Sequence, residues 1–225
     1  MPHLPDMLFA DNFLKLKHKD DFGLEFNAYD SLKLVDPKAD LIKVSVAKEW
    51  KESRADCEFI DKLVHPFDWT FTTPYKGTLT KYETNEAANT RSTLKVVPES
   101  NERINIEKLK IPEPISFFDE VCLFDDELSD HGASSLNLKI RVMPTSFFIL
   151  QRFFLRVDDV VIRIYDTRIY HEIEKNYIIR EYTEKESLCK DLKCSPRLFN
   201  EPNEIVNFLA LKNSSVERLD FPVLI

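Results

Sequence analysis

Period-two alternation dominates the readable parts of the chain. Leu136, Leu138, Ile140 and Val142 alternate with Asn137, Lys139 and Arg141, predicting a strand with one apolar and one cationic face. Asp130-His131-Gly132 supplies the turn before it. Beyond Pro144, two strands are expected to meet at Asp158-Asp159. With those two residues as the turn, Val157 faces Val160. Counting outwards then puts Phe153, Leu155, Val157, Val160, Ile162 and Ile164 on one apolar face. Arg152, Phe154, Arg156, Val161, Arg163 and Tyr165 share the other. A helix from Ser146 to Arg156 is the competing reading, but it would send Phe147 and Phe148 in very different directions. Phe67, Trp69 and Phe71 alternate with Asp68, Thr70 and Thr72, a further strand signal. Leu41–Val44 reads as a short strand. Ser45 then caps a helix over Val46–Arg54, with Val46 and Trp50 on one face. Residues 80–93 are polar and aperiodic, a surface loop. Pro202 before Asn203 predicts a short helix over Glu204–Leu209, striped by Ile205, Phe208 and Leu209. No repeat or composition break divides the chain, so residues 1–225 read as one domain.

Composition narrows the function more than the fold. The 225 residues include 17 Phe, 7 Tyr and 2 Trp, enough for a large core. Glycine is the sharper number: only Gly23, Gly77 and Gly132 occur, where an average chain carries about 7%. Gly-x-Gly-x-x-Gly, the P-loop and the Gly-x-Ser-x-Gly elbow are therefore all impossible. A net charge of −8 argues against nonspecific nucleic-acid binding, which requires neutralised phosphates. The richest apolar window, Met143–Val157, is broken by Gln151, Arg152 and Arg156, far short of the ~20 residues of a membrane helix. The first residues show no basic stretch followed by an apolar run, so no secretory signal is expected. Cys57, Cys122, Cys189 and Cys194 do not make a disulfide framework, and the cytoplasm, with the nucleus second, is the expected compartment.

Candidate chemistry is sparse. His3, His18, His65, His131 and His171 are scattered, and Cys189-x4-Cys194 lacks a second ligand pair, so neither a metal nor a cofactor is expected. Cys57 and His65 would pair only if the fold brought them together; a buried inert thiol is the better reading. Acid pairs are too common to indicate catalysis. One bias is informative. Residues 139–180 hold six of the eleven arginines but only two of the twenty lysines. Guanidinium grips carboxylate or phosphate with a two-pronged fork, and Tyr165, Tyr170, Tyr177 and Tyr182 are interleaved with these arginines. The bland alternative is internal pairing with the acidic run Asp119–Asp130. Both are expected, with some arginines left for a partner.

Several runs are similar to the TIPRL (TOR signalling pathway regulator-like) family. They include Pro66-Phe67-Asp68-Trp69-Thr70-Phe71-Thr72-Thr73, Tyr75-Lys76-Gly77-Thr78-Leu79 and Phe117-Phe118-Asp119-Glu120-Val121. Lys139-Ile140-Arg141-Val142-Met143-Pro144, Arg152-Phe153-Phe154-Leu155-Arg156-Val157-Asp158 and Asp166-Thr167-Arg168-Ile169-Tyr170-His171-Glu172 follow in order. Arg180-Glu181-Tyr182 and Glu201-Pro202-Asn203-Glu204-Ile205 complete a match over nearly the whole chain. The resemblance implies an α+β fold, predominantly antiparallel β in a two-layer sheet arrangement with a few short helices. It also implies a non-catalytic regulator that binds the catalytic subunit of type 2A-family Ser/Thr phosphatases through its C-terminal tail. Carried over by position, the partner-binding surface would include Asp30, Ile104, Ile164, Arg168 and Tyr182, with Ile164 standing where relatives carry Met. Arg141 joins them as a second candidate for the tail carboxylate. An upstream segment carried by relatives is expected to be missing, the 80–93 loop is longer than expected, and Asp159 replaces the usual Gly of the hairpin turn.

Two other readings compete with the phosphatase regulator. One is a general adaptor taking acidic or phosphorylated peptides on its Arg/Tyr-rich face, the other an unrecognised hydrolase. The protein is expected to be monomeric on its own, for want of any long heptad pattern.

Overall fold

The computed structural model describes residues 4–19, 22–36, 70–81 and 94–222. The expected strand Leu41–Val44, the helix Val46–Arg54, Phe67 and Trp69, the Cys57–His65 pair and most of the 80–93 loop lie outside the described residues.

Long alternating segments become long strands. The order is β1 (Met7–Leu8), β2 (Phe13–Lys17), β3 (Phe22–Asn27), α1 (Ala28–Lys33), β4 (Thr78–Lys81), β5 (Lys95–Pro98) and α2 (Ile106–Lys110). There follow β6 (Phe117–Asp126), β7 (Gly132–Val142), β8 (Ser146–Val157), β9 (Val161–Glu172), β10 (Tyr177–Leu188), α3 (Pro202–Ile205) and β11 (Ala210–Asp220). An eight-stranded sheet runs β1-β6-β7-β8-β9-β10-β11-β5, a meander of antiparallel neighbours with a short strand at each edge. The order β2-β3-β4 makes a second sheet, also antiparallel. Predominantly antiparallel β with three short helices among the described residues is therefore the fold class, as expected. No described helix is long and apolar enough to cross a membrane.

The core lies between the sheets. Leu136, Leu138, Ile149, Phe153, Leu155 and Ile169 of the large sheet meet Phe22, Leu24 and Phe26 of the small one, with Phe71 wedged among them. Gly77 is required at the seam. Its φ is +87°, and a Cβ there would lie 2.8 Å from the Phe26 ring. The inner face is not wholly apolar. Gln151 donates its side-chain amide to the Tyr75 carbonyl, Thr167 donates to the same oxygen at 3.4 Å, and Arg180 Nη1 donates to the Lys76 carbonyl at 3.2 Å. The irregular segment around Tyr75 thus hands its backbone acceptors to three successive strands, which keeps those buried polar groups satisfied.

The β8–β9 hairpin corrects the expected register. The loop has three residues, 158–160, with Asp159 at φ 59° and the Val160 N–H donating to the Val157 carbonyl at 3.0 Å. Val157 consequently faces Val161 rather than Val160. Aspartate tolerates the left-handed conformation, so the chain makes the longer turn without glycine. The one-residue shift reverses β9. Val161, Arg163 and Tyr165 lie on the inner face with Phe153, while Ile162 and Ile164 lie on the outer face with Phe154. Val160, expected in the core, is 43% exposed.

Two smaller expectations also change. Phe71 is buried, but its backbone is left-handed at φ 51° and residues 71–77 form no strand, because the chain turns there to seat the ring edge-on to Phe124. The C-terminal helix is α3, earlier and shorter than Glu204–Leu209, with Pro202 in its first turn. Ile205 and Leu209 are buried, whereas Phe208 is exposed.

One buried carboxylate makes stability pH-dependent. Asp126 accepts the Asp6 N–H at 2.8 Å and the Leu128 N–H at 2.7 Å, tying the N-terminal strand to the end of β6. Burial outweighs both bonds and pushes its pKa from 3.8 up to about 6. Between those values the folded state holds a proton that the unfolded chain has lost, so stability from this group rises as pH falls from about 6 to 3.8. Asp126→Asn is expected to flatten that part of the curve, measured by urea unfolding across the range. An unchanged slope would contradict the assignment. Asp30 acts oppositely: hydrogen bonds from Lys33, Asn27 and Thr78 hold it down at about 2, so its contribution is lost only as pH falls below 3.8.

Candidate protein-binding trench

The outer face of the large sheet is covered in two places. Ile104, just before α2, and Leu109, within it, pack on Tyr170, Ile179 and Phe148. Ile205, Val206 and Leu209 pack on Phe154, Ile162 and Ile164. Register places the covered rows at Arg141–Phe148–Tyr170–Ile179 and Ser135–Phe154–Ile164–Lys185. They are six residues apart along each strand, about 20 Å. Two rows lie between the covers: Lys139–Leu150–Arg168–Glu181–Val216 and Asn137–Arg152–Asp166–Thr183–Ser214. They floor a trench that crosses the strands, narrowed at its β10–β11 end where Glu181 and Val216 meet the Ile104 cover. At its β6–β8 end the trench deepens into a cavity of about 390 Å³ between Lys139, Leu150, Arg152, Phe154 and Asn203.

The charges in the floor are unevenly paired. Arg152 grips Asp166 with both prongs at 2.7 Å and donates Nη1 to Asn203 at 2.9 Å. Arg168 Nη2 reaches the same carboxylate at 3.1 Å. Two guanidiniums therefore share one carboxylate, while Glu181, directly across the strand from Arg168, turns an oxygen to the Ile104 N–H. Asp166 is 1% exposed, Arg152 13% and Arg168 33%, so Arg168 is the member solvent can reach. Among the described residues its remaining donors have no partner. Such a site favours an incoming carboxylate, which would make charge-assisted bonds with a preformed fork.

The six residues singled out from the sequence do not form one constellation. Arg168 lies in the trench floor. Arg141 lies at its margin under α2, donating Nη2 to the Leu109 carbonyl at 3.3 Å. Ile104 is buried in one cover, its N–H donating to Glu181 at 2.9 Å. Ile164 is fully buried beneath the other cover, not at a rim. Tyr182 faces the opposite side of the sheet, opposite Thr167, where its ring meets Tyr165 edge-on and Lys76 Nζ sits 4.6 Å above it. Burial, with Glu184 adding to it, raises the Tyr182 hydroxyl far above its ordinary pKa. Asp30 belongs to the small sheet's side, where Thr78 Oγ1 donates to it at 2.8 Å. Partner contact through Ile104, Ile164 or Tyr182 requires the cover above each to move.

The arginine-rich segment pairs internally, but not with Asp119–Asp130. Arg152–Asp166, Arg163–Glu186 and Arg180–Glu217 are each direct cross-strand partners, joined at 2.6–2.7 Å. Leu150, Arg152 and Asn203 are the trench residues that sequence reasoning missed; correct hairpin register would have found the first two. Among the described residues no three His, Cys, Asp or Glu side chains gather as metal ligands.

Residues 7–193 match the TIP41-like family. A human TIP41-like protein is 52% identical over 223 residues, covering 99% of this chain and 79% of the human one. A Dictyostelium discoideum TIP41-like protein is 43% identical over 96% of this chain and 80% of its own length. The type 2A phosphatase activator TIP41 of Saccharomyces cerevisiae is 37% identical over 87% of this chain and 56% of its own length. These matches bear out the resemblance read from the motifs, and the chain belongs to the TIP41-like family.

Proposed function

We propose that the protein is a non-catalytic cytoplasmic regulator of type 2A Ser/Thr phosphatases. It binds the catalytic subunit through that subunit's extended C-terminal tail and inhibits or remodels the holoenzyme in TOR-linked signalling. The observation that carries this reading is the half-used Arg168 guanidinium in the floor of a trench that crosses the strands. The yeast relative's name, a type 2A phosphatase activator, supports the partner. In this reading the tail crosses the strands and its terminal carboxylate takes the free donors of Arg168.

Arg168→Ala is expected to weaken binding of a catalytic-subunit tail peptide by at least about tenfold, the low end for a charge-assisted bond. Thermal stability should hardly move, since Arg152 still neutralises Asp166. Arg168→Lys should restore part of the affinity, because Lys lacks the fork. Fluorescence anisotropy with free-acid and C-terminally amidated peptides reads the effect from both sides. Equal binding of the two peptides to the unaltered protein would overturn the carboxylate grip and favour a general acidic-peptide adaptor.

A further inference from the structure

A second cavity, about 630 Å³, opens on the other side of α2 from the trench. Its floor holds Arg141, and its walls include Ile111, Ile115, Met143, Pro144 and Ile173. The volume falls within the roughly 300–1,000 Å³ of small-molecule sites, and the lining is mixed: an apolar side of Ile111, Ile115, Met143 and Ile173 faces a charged one of Lys108, Lys110, Glu113, Glu172 and Glu174 around Arg141.

Arg141 is the unsatisfied group. Among the described residues no carboxylate pairs with it. Its Nε is buried without a hydrogen-bond partner, and its Nη2 has only the long bond to the Leu109 carbonyl. The neighbouring charges are already committed: Lys108 to Glu172 at 3.0 Å, Lys110 to Glu107 at 2.8 Å, and Glu113 to the Thr145 hydroxyl at 3.0 Å. A side-on carboxylate would take Nε and Nη2 together by displacing the Leu109 carbonyl. The helix that would give way is short, five residues with only Leu109 half-buried among them.

We infer that this cavity binds a small amphipathic monocarboxylate, an acid with a short aliphatic or aromatic body. The single unpaired guanidinium calls for one negative charge. Glu113 and Glu174, which no described cation pairs, disfavour a second and so select against nucleotides and dicarboxylates. Pro112 and Pro144 in the wall offer no N–H, so it is poorly equipped to hold a peptide backbone. The body of the acid lies against Ile111, Ile115 and Ile173, which are otherwise exposed. This site is separate from the trench and does not depend on the proposed phosphatase partner.

Calorimetric titration of the whole chain with octanoate, octanamide and suberate tests it. Octanoate is expected to bind saturably and at least about tenfold tighter than octanamide, the contribution of one charge-assisted pair. Suberate should bind more weakly than octanoate. Arg141→Gln should abolish the preference for acid over amide. Ile173→Glu, at an exposed position, should weaken octanoate more than octanamide, because it removes the same apolar contact from both and adds a negative charge against the acid alone. Equal affinity for acid and amide, no saturable octanoate binding by the folded protein, or a preference that survives in folded Arg141→Gln would overturn the site. Tighter binding through Arg141 of an Ile-terminated peptide acid than of octanoate would reassign it to chain termini and overturn it equally.

Discussion

Asp166→Ala is expected to lower the unfolding free energy by about 3–5 kcal/mol, the penalty for removing one partner of a buried ion pair. Asp166 is almost fully buried and neutralises two guanidiniums, one of them 13% exposed. Removing it leaves Arg152 beside Phe154 with only Asn203 as a described partner. Chemical denaturation reads the loss. Replacing Arg152 and Asp166 together by apolar residues of similar volume should recover most of it, because a buried pair contributes little net stability while a buried single charge is costly. A single-variant loss under about 1 kcal/mol would mean that water reaches Arg152 and that the trench floor is not built around this carboxylate.

Phe153→Ala should cost a similar amount, about 3–5 kcal/mol, the range for truncating a fully buried phenylalanine. Phe153 has no exposed surface, and its ring lies 5.7 Å from that of Tyr165 across the strand pair. The comparison with Val160→Ala is decisive for the hairpin. Val160 sits in the loop, so its truncation should cost only about 0.5 kcal/mol or less, as at other surface positions. Equal losses at the two positions would restore the two-residue turn.

What the sequence made legible follows from physical range. Alternation over β7 and β8 is a local signal, because each residue's face depends only on its neighbours along the strand, and those strands formed where expected. The face of β9 depended on a single loop residue. Asp159 in the left-handed conformation lengthened the turn, and every β9 side chain changed sides. The same slip hid the Arg152–Asp166 pair, which is visible on paper once the register is right, whereas Arg163–Glu186 and Arg180–Glu217 depend on the registers of the next two strand pairs. It also left Ile164 on the wrong face. Phe71 misled for another reason: its apolar spacing fits a strand, while its backbone serves a turn. The trench could not be read at all. Its walls come from residues near 104–109 and 205–209 and its floor from five strands between them, so no stretch of sequence contains it.

The polar clasp between the Tyr75 segment and the large sheet has a consequence for how the chain assembles. Strands β7 to β10 are joined by loops of only three, three and four residues, so the meander closes through local contacts. The Tyr75 carbonyl, by contrast, meets Gln151 across 76 residues of intervening chain. Gln151 and Thr167, which donate to that carbonyl, and Arg180, which donates to the next one at Lys76, sit on three different strands, so the clasp has nothing to hold until those strands are in register. The clasp is therefore expected to close after the meander has formed, with the small sheet docking onto a surface already made. Until it docks, Ile149, Phe153 and Ile169 stand bare on one side of the meander, and that interval is when a newly made chain is most exposed to aggregation.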